Sequence, residues 1–151
     1  MVKMKNRSTI LLDLDGVMIK NKSWEPVELL EDGFCAFDEK ATKNLNLIIS
    51  ETNACIVLTT THKVKYSLSE WDEIFKLRGI VTDIDKLKTD GTRFEEVMCW
   101  YENKSTNSFI ILDDDKSLND LPSEVKDHLV LTSPMIGLDD TSVKKSINIL
   151  K

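Results

Sequence analysis

The sequence predicts an α/β fold in three layers, with a mostly parallel sheet covered by helices on both faces. Short apolar runs alternate with helical patterns along the 151 residues. The apolar runs are continuous, which is typical of strands buried on both faces. The length suits one domain, so we expect residues 1–151 to fold as a single unit.

The composition excludes several classes of protein. Apolar residues make up 41% of the chain and charged residues 30%, which indicates a globular rather than a disordered protein. There is no apolar run long enough to span a bilayer, so no membrane association is expected. The net charge of −6 argues against a general nucleic-acid coat protein, although a local basic groove stays possible. Three separated cysteines favour a reducing, cytoplasmic compartment.

The first half of the chain predicts two strands and one helix. Residues 9–12 form an apolar run that reads as a buried strand. Residues 18–36 contain proline and glycine and predict a loop or a small flap. Asp38 is suited to cap a helix that continues to about Thr52. Residues 54–58 predict the second strand.

The second half continues the alternation of helices and strands. The predicted elements are a helix at 67–78 closed by Gly79, a strand at 80–82, a helix from about Thr92, a strand at 109–112, a strand at 129–131 and an amphipathic helix from Thr141. Such an order predicts parallel strands joined by crossover helices.

Three of the predicted strands end in polar clusters. Residues 13–16 read Asp-Leu-Asp-Gly, residues 59–62 read Thr-Thr-Thr-His, and residues 113–115 read Asp-Asp-Asp. Each cluster alone is common at a strand-ending turn. Because the carboxyl ends of parallel strands meet at one edge of a sheet, their joint occurrence in this order predicts one functional site.

The chemistry of these clusters favours phosphoryl transfer. Several carboxylates at one edge repel one another, and a hard divalent cation such as Mg²⁺ relieves the repulsion. A carboxylate such as Asp13 can act as a nucleophile. Asp15 is placed to give a proton to a leaving oxygen and later to take one from water. The hydroxyl of Thr60, together with a cation, can neutralise phosphoryl oxygens.

These motifs resemble those of the haloacid dehalogenase (HAD) superfamily of phosphohydrolases. Residues 10–17 are similar to its first motif, residues 56–60 to its second and residues 110–114 to its fourth. Over nearly the whole chain, the sequence resembles the small HAD domain of Swiss Army Knife RNA repair proteins. One departure is His62-Lys63, where that family tends to have Trp-Arg. The resemblance implies a Rossmann-like, HAD-type fold.

The resemblance also implies a role for each acidic residue. Asp13 would be the nucleophile and Asp15 the general acid and base. Mg²⁺ would be bound by the Asp13 carboxylate, the Asp15 main-chain carbonyl and the Asp114 side chain, with Asp113 in support. The complete acid set argues against a phosphate-binding module that has lost turnover, which stays the alternative from another class.

The remaining site residues are expected to bind phosphate or substrate. Thr60 is our choice for the phosphate-binding hydroxyl, with Thr59 as the alternative because the end of the strand is uncertain by a residue or two. Arg93 is our choice for the cation of the third motif, with Lys88 as the alternative. The residues expected to line the substrate site are Gly16, Thr59, Thr61, Lys63 and Lys88.

The spacing of the motifs leaves no room for a large cap domain, so we expect an open site. An open site suits a large substrate such as a polynucleotide end, and the resemblance favours a terminal phosphate of a nucleic acid. The alternative is a phosphatase of nucleotides or other small molecules. A basic groove would have to come from Lys20, Lys22, Lys63 and Lys65. Trp24 is the best candidate for base stacking, since Trp71 and Trp100 have helical core spacing.

Overall fold

A computed structural model describes residues 7–20, 26–88 and 91–151 and confirms the α/β prediction. Five strands form one parallel sheet in the order β3-β2-β1-β4-β5. They are β1 (Thr9–Leu12), β2 (Cys55–Leu58), β3 (Ile84–Lys86), β4 (Phe109–Asp113) and β5 (Leu129–Leu131). Leu12 of β1 pairs with Leu58 on one side and Leu112 on the other, so the three strands that carry the motifs end side by side.

Helices cover both faces of this sheet. They are α1 (Glu39–Thr52), α2 (Leu68–Leu77), α3 (Arg93–Asn103), the short α4 (Ser123–Lys126) and α5 (Asp140–Leu150). Asp38 caps α1 by accepting the N–H of Ala41, as the sequence predicts. Capping boxes begin α2 at Ser67 and α3 at Thr92.

Two apolar cores lie on opposite faces of the sheet. Ile10 and Leu12 of β1 belong to the core that α1, α2 and α5 cover. Leu11, between them, belongs to the other core, which packs against α3. Because successive side chains of a strand point to opposite faces, this alternation gives the predicted three layers.

The third strand lies four residues later than the sequence predicts. Residues 80–82 were expected to form it, but the backbone N–H of Ile80 caps α2 by donating to Phe75 O, and the hydroxyl of Thr82 donates to Ala54 O. The strand that pairs with β2 begins at Ile84. It is a three-residue edge strand with charged residues at its second and third positions, so it lacks the apolar run of a buried strand.

Within the predicted flap at residues 18–36, of which 21–25 lie outside the described residues, residues 28–36 form a small hairpin that one buried arginine fixes to α2. The guanidinium of Arg78 donates to the carbonyls of Phe34 and Cys35 at 3.0 and 2.9 Å. It also pairs with the carboxylate of Asp32 at 2.6 Å, and its side chain is only 2% exposed. The hairpin is therefore tied to the end of α2.

The rest of the described chain between the motif strands holds no inserted domain. The interval between β1 and α1 contains the flap, and the interval between β2 and α3 contains α2 and β3. This agrees with the expected absence of a large cap. Within the described ranges, no helix is long and apolar enough to cross a bilayer. All three cysteines are free thiols.

Replacing Arg78 tests whether the flap is fixed in this way. We expect Arg78→Met to lower the free energy of unfolding by about 2–4 kcal/mol, because it removes the positive charge paired with Asp32 and the donor to the carbonyls of Phe34 and Cys35. Urea denaturation measures the change. Lys76→Met is the matched control, since Lys76 pairs with Asp72 on the exposed face of α2 and its loss should cost less than about 0.5 kcal/mol. Equal effects of the two variants would contradict the assignment.

Candidate active site

Three carboxylates converge where β1 and β4 end. Asp13 follows β1, Asp113 ends β4 and Asp114 comes next in the chain. One carboxylate oxygen of each lies within 4.8 Å of the others. The Asp13 N–H donates to Leu112 O at 3.0 Å, which continues the strand pairing into the cluster. The convergence that the strand ends predict is therefore present in the structure.

Burial and mutual repulsion shift the protonation of this cluster. Burial, and next the negative charge of Asp113, raise the pKa of Asp13 to about 8 against the opposing effect of Arg93. The pKa of Asp114 is raised by burial and then by the charge of Asp113. Without a cation, the cluster holds protons that an isolated carboxyl would have released.

Arg93, the first residue of α3, lies against the acidic cluster. Its Nη1 is 2.5 Å from Asp113 Oδ2 and 3.5 Å from Asp13 Oδ2. Burial by itself would lower the pKa of Arg93, but the charges of Asp113 and Asp13 raise it. The other oxygen of Asp113 accepts the N–H of Asp115 at 3.0 Å. Asp113 is thus fully engaged by protein donors.

Arg93, the preferred cation of the third motif, contacts the acidic cluster, whereas the alternative, Lys88, lies at another cavity. Lys88 is exposed and lines a cavity of about 250 Å³ together with Glu96, Cys99 and Trp100. Arg93 approaches through the capping box at Thr92, which sets the first turn of α3. Of the two, only Arg93 is in contact with the acidic residues of motifs one and four.

The donor set fits a hard divalent cation. Three carboxylates face one guanidinium, so the fully ionised cluster carries an excess of two negative charges. Carboxylate oxygens are the ligands that Mg²⁺ prefers, and the ion commonly keeps several waters. Burial, and next the charge of Asp113, raise the pKa of both Asp13 and Asp114, and a bound cation would favour their ionised forms.

Gly16 has a steric role that its residue type explains. A Cβ at Gly16 would lie 2.1 Å from Asp114 Oδ2, and the backbone φ of +83° is one that other residues rarely adopt. Glycine therefore lets the Asp114 carboxylate approach the loop that carries Asp13 and Asp15. The expected contact of Gly16 with substrate stays a prediction.

Asp15 has a partner that sequence reasoning did not assign. Its carboxylate is exposed at the edge of the site, and its Oδ2 lies 2.9 Å from Nε2 of His62. The His62 ring in turn packs edge-on against Phe34 of the flap, with ring centroids 5.4 Å apart. The sequence marks His62 only as a departure from the resembling family. The structure places it against the expected general acid.

The three threonines that follow β2 differ in their exposure and hydrogen bonds. Thr59 and Thr60 are fully buried, whereas Thr61 is exposed. Thr60 Oγ1 accepts the N–H of His62 at 3.3 Å, which leaves its hydroxyl proton free to be donated elsewhere. Among the described residues, Thr59 Oγ1 has no hydrogen-bond partner. Both hydroxyls therefore stay candidates for the phosphate-binding role.

Lys63 is placed differently from the expected substrate contact. Its ammonium is buried and pairs with the buried carboxylate of Glu96 at 3.1 Å. Glu96 lies one turn after Arg93 on α3, and nothing in the local sequence pattern joins it to a lysine 33 residues earlier. The charge of Lys63 is thus neutralised inside the domain.

Two of the lysines from which a basic groove would have to come are paired with carboxylates. Lys63 is paired with Glu96, Lys20 pairs with Asp38 at 3.3 Å, and Lys65 is exposed. Lys22 and Trp24 lie outside the described residues. Trp71 is fully buried, as predicted, and Trp100 packs partly buried against Phe109.

Comparison with known proteins identifies one family. The family model for the HAD domain in Swiss Army Knife RNA repair proteins matches residues 9–143, which is most of the chain. The match includes all of the strands and all of the acidic residues described above. No curated protein and no solved structure matches the chain.

The raised pKa of Asp13 predicts how stability depends on pH in the absence of metal. Between pH 4 and pH 8, the folded protein keeps a proton that the unfolded chain releases, so stability falls as pH rises through this range. Asp13→Asn should remove that loss. We expect the variant to gain at least about 1 kcal/mol over the wild type between pH 5 and pH 8.

Urea denaturation in EDTA, at pH 5 and at pH 8, measures the gain in stability of Asp13→Asn over the wild type. Asp120→Asn, at an exposed position, is the control and should follow the wild type. Parallel pH profiles for wild type and Asp13→Asn would show that the cluster is not under electrostatic stress.

Proposed function

This chain belongs to the family of HAD domains in Swiss Army Knife RNA repair proteins, and we propose that it is a Mg²⁺-dependent phosphohydrolase that works through an aspartyl-phosphate. The family indicates a phosphohydrolase. The proposal of Mg²⁺ dependence and an aspartyl-phosphate rests on one observation. The carboxylates of Asp13, Asp113 and Asp114 converge on one point, with Arg93 beside them.

Asp13 is the nucleophile in this proposal. Its carboxylate oxygen forms a bond to phosphorus while the bond from phosphorus to the leaving oxygen breaks. Water then attacks the phosphorus of the aspartyl-phosphate, which releases inorganic phosphate and restores the Asp13 carboxylate. The attack requires an ionised carboxylate, and the raised pKa of Asp13 means that a nearby positive charge must favour that form.

A Mg²⁺ held by Asp13 and Asp114 would supply this positive charge and would also neutralise phosphoryl oxygens. The family resemblance adds the Asp15 main-chain carbonyl as a further ligand. Asp113 is positioned by Arg93 and by the Asp115 N–H, so its part is to orient the cluster. Arg93 offsets one of the negative charges that gather there.

Asp15 moves the protons. It gives one to the leaving oxygen in the first step and takes one from the attacking water in the second. Its side chain is 60% exposed, which leaves it open to a leaving group that approaches from solvent. The hydrogen bond from His62 and the packing of His62 on Phe34 hold the carboxylate at the edge of the site.

A terminal phosphate of a nucleic acid is the substrate that we propose. The support is the family, whose members lie in RNA repair proteins, and the absence of a cap over the described part of the site. Two of the three described lysines of the expected groove are paired with carboxylates. We therefore propose recognition of the terminal nucleotides rather than of a long stretch of backbone.

Variants of the two catalytic aspartates test the covalent mechanism. With a generic aryl phosphate and Mg²⁺, Asp13→Asn should lower kcat by at least about 10³-fold, because the amide that replaces the carboxylate is a poor nucleophile and does not form the acyl-phosphate. Asp15→Asn should accumulate the acyl-phosphate. An aryl leaving group departs with little help from a general acid, so the first step continues, whereas hydrolysis of the acyl-phosphate needs Asp15 as the general base. Intact-protein mass spectrometry after an acid quench detects the added phosphoryl group.

Asp72→Asn, on the exposed face of α2, is the control for these variants. Substantial turnover by Asp13→Asn would exclude Asp13 as the nucleophile. A wild type that binds phosphate esters but never hydrolyses them would favour the phosphate-binding module instead.

A substrate panel tests the nucleic-acid assignment. We expect kcat/KM for a 3′- or 5′-phosphorylated oligonucleotide to exceed that for the matching mononucleotide by at least about tenfold, equivalent to about 1.4 kcal/mol of transition-state binding. The comparison uses RNA and DNA of the same sequence. Equal or higher values for the mononucleotide would favour the alternative, a nucleotide or other small-molecule phosphatase.

A further inference from the structure

Thr132, the residue after β5, is hydrogen-bonded to both acidic motifs. Its N–H donates to the carbonyl of Asp113 at 2.8 Å. Its hydroxyl donates to the carbonyl of Gly16 at 2.7 Å, across 116 residues of sequence. The side chain is buried, so the Gly16 carbonyl would have no water to replace a lost hydroxyl donor.

The position of Gly16 matters because both motifs meet at this glycine. The Asp114 carboxylate packs so closely on Gly16 that a Cβ there would overlap it. The N–H of Gly16 donates to Ile19 O at 2.7 Å. That N–H shares a planar peptide group with the carbonyl of Asp15, so the bond fixes the direction of the Asp15 carbonyl.

The two hydrogen bonds of Gly16 therefore hold the peptide groups on both sides of it. Ile19 holds the peptide that joins Asp15 to Gly16, and Thr132 holds the one that follows. The Ile19 bond lies within one loop and cannot set the distance to β4. Asp13, at the start of the loop, is bonded to Leu112 of β4, and the Thr132 hydroxyl adds a second tie at Gly16, because Thr132 is also bonded to Asp113.

We propose that Thr132 is a positioning residue for the metal site, which sets the separation between the Asp13–Gly16 loop and Asp114. Thr132 touches neither substrate nor the reacting atoms. It acts through Gly16 and Asp113, and its loss lets the loop move relative to the acids of β4. The proposal rests on the proposed function, since it assumes that these residues hold Mg²⁺.

Calorimetric titration of Mg²⁺ into the phosphate-free protein tests the proposal without any measurement of activity. Thr132→Val keeps the shape of the side chain and removes the hydroxyl, so the Kd for Mg²⁺ should rise by about tenfold or more. Thr132→Ser keeps the donor, and its Kd should stay within about twofold of the wild type. Circular dichroism checks that each variant is folded.

Thr9→Val is the matched control. Thr9 is also a buried threonine, and its hydroxyl donates to Arg7 O at 2.9 Å at the opposite end of β1. Its replacement removes a buried hydroxyl of the same kind, yet the Kd for Mg²⁺ should not change. Equal weakening by Thr9→Val and Thr132→Val would mean that Thr132 contributes only general stability, and this would overturn the proposal.

Two further outcomes separate the inference from the proposed function. If the wild type binds Mg²⁺ and a folded Thr132→Val binds it equally well, the role of Thr132 is wrong and the phosphohydrolase proposal stands. If the wild type binds no Mg²⁺, both are wrong. Should Thr132→Val fail to fold, Thr132→Cys serves in its place, because a thiol is a weaker donor of similar size and should give an intermediate Kd.

Discussion

The repulsion among carboxylates buried at one edge of the sheet is the constraint on which the site depends. Asp13 and Asp113 have almost no exposed surface, and Asp114 lies within 4.8 Å of both. Water can screen these charges only weakly at such positions. Arg93 offsets one charge, and burial together with the charge of Asp113 still raises the pKa of Asp13 and Asp114. A domain that keeps this arrangement has a place for a divalent cation.

The surrounding fold holds the acids at this separation from several directions. The pairing of β1 with β4 brings Asp13 next to Asp113, and the absence of a side chain at Gly16 lets Asp114 approach. On the other side, Arg78 fixes the flap, and Phe34 of the flap packs against His62, which bonds to Asp15. Asp15 is thus supported by a continuous set of contacts that reaches α2, whereas Asp13, Asp113 and Asp114 are supported by the pairing of β1 with β4.

The sequence predicts the parts of this structure that repeat a regular pattern. Four of the five strands are predicted from apolar runs, the cap at Asp38 is predicted, and the predicted helix starts at Ser67 and Thr92 coincide with the caps in the structure. The convergence of three strand ends follows from the geometry of parallel sheets. The edge strand at Ile84–Lys86 is the exception, because only one of its residues is buried and its pattern is too short to recognise.

The contacts that the sequence does not predict are pairings between distant side chains. The partner of Lys63 is Glu96, and the partner of Asp15 is His62, although neither pair shares a local pattern. Thr132 reaches Gly16 from the far end of the sheet order. Such pairs depend on where the loops meet in three dimensions, and the hydrophobic periodicity of a single sequence does not predict those positions. Arg93 is chosen from the sequence as the cation of the third motif, but its ion pairs with Asp13 and Asp113 are not predicted.

Proton release on metal binding tests the central claim most directly. Because Asp13 is protonated in the metal-free protein at pH 7, Mg²⁺ must displace that proton when it binds. Titration calorimetry of Mg²⁺ in buffers that differ in ionisation enthalpy should show release of about one proton per ion at pH 7, and much less at pH 9. Binding without proton release at pH 7, or no binding at all, would contradict the account.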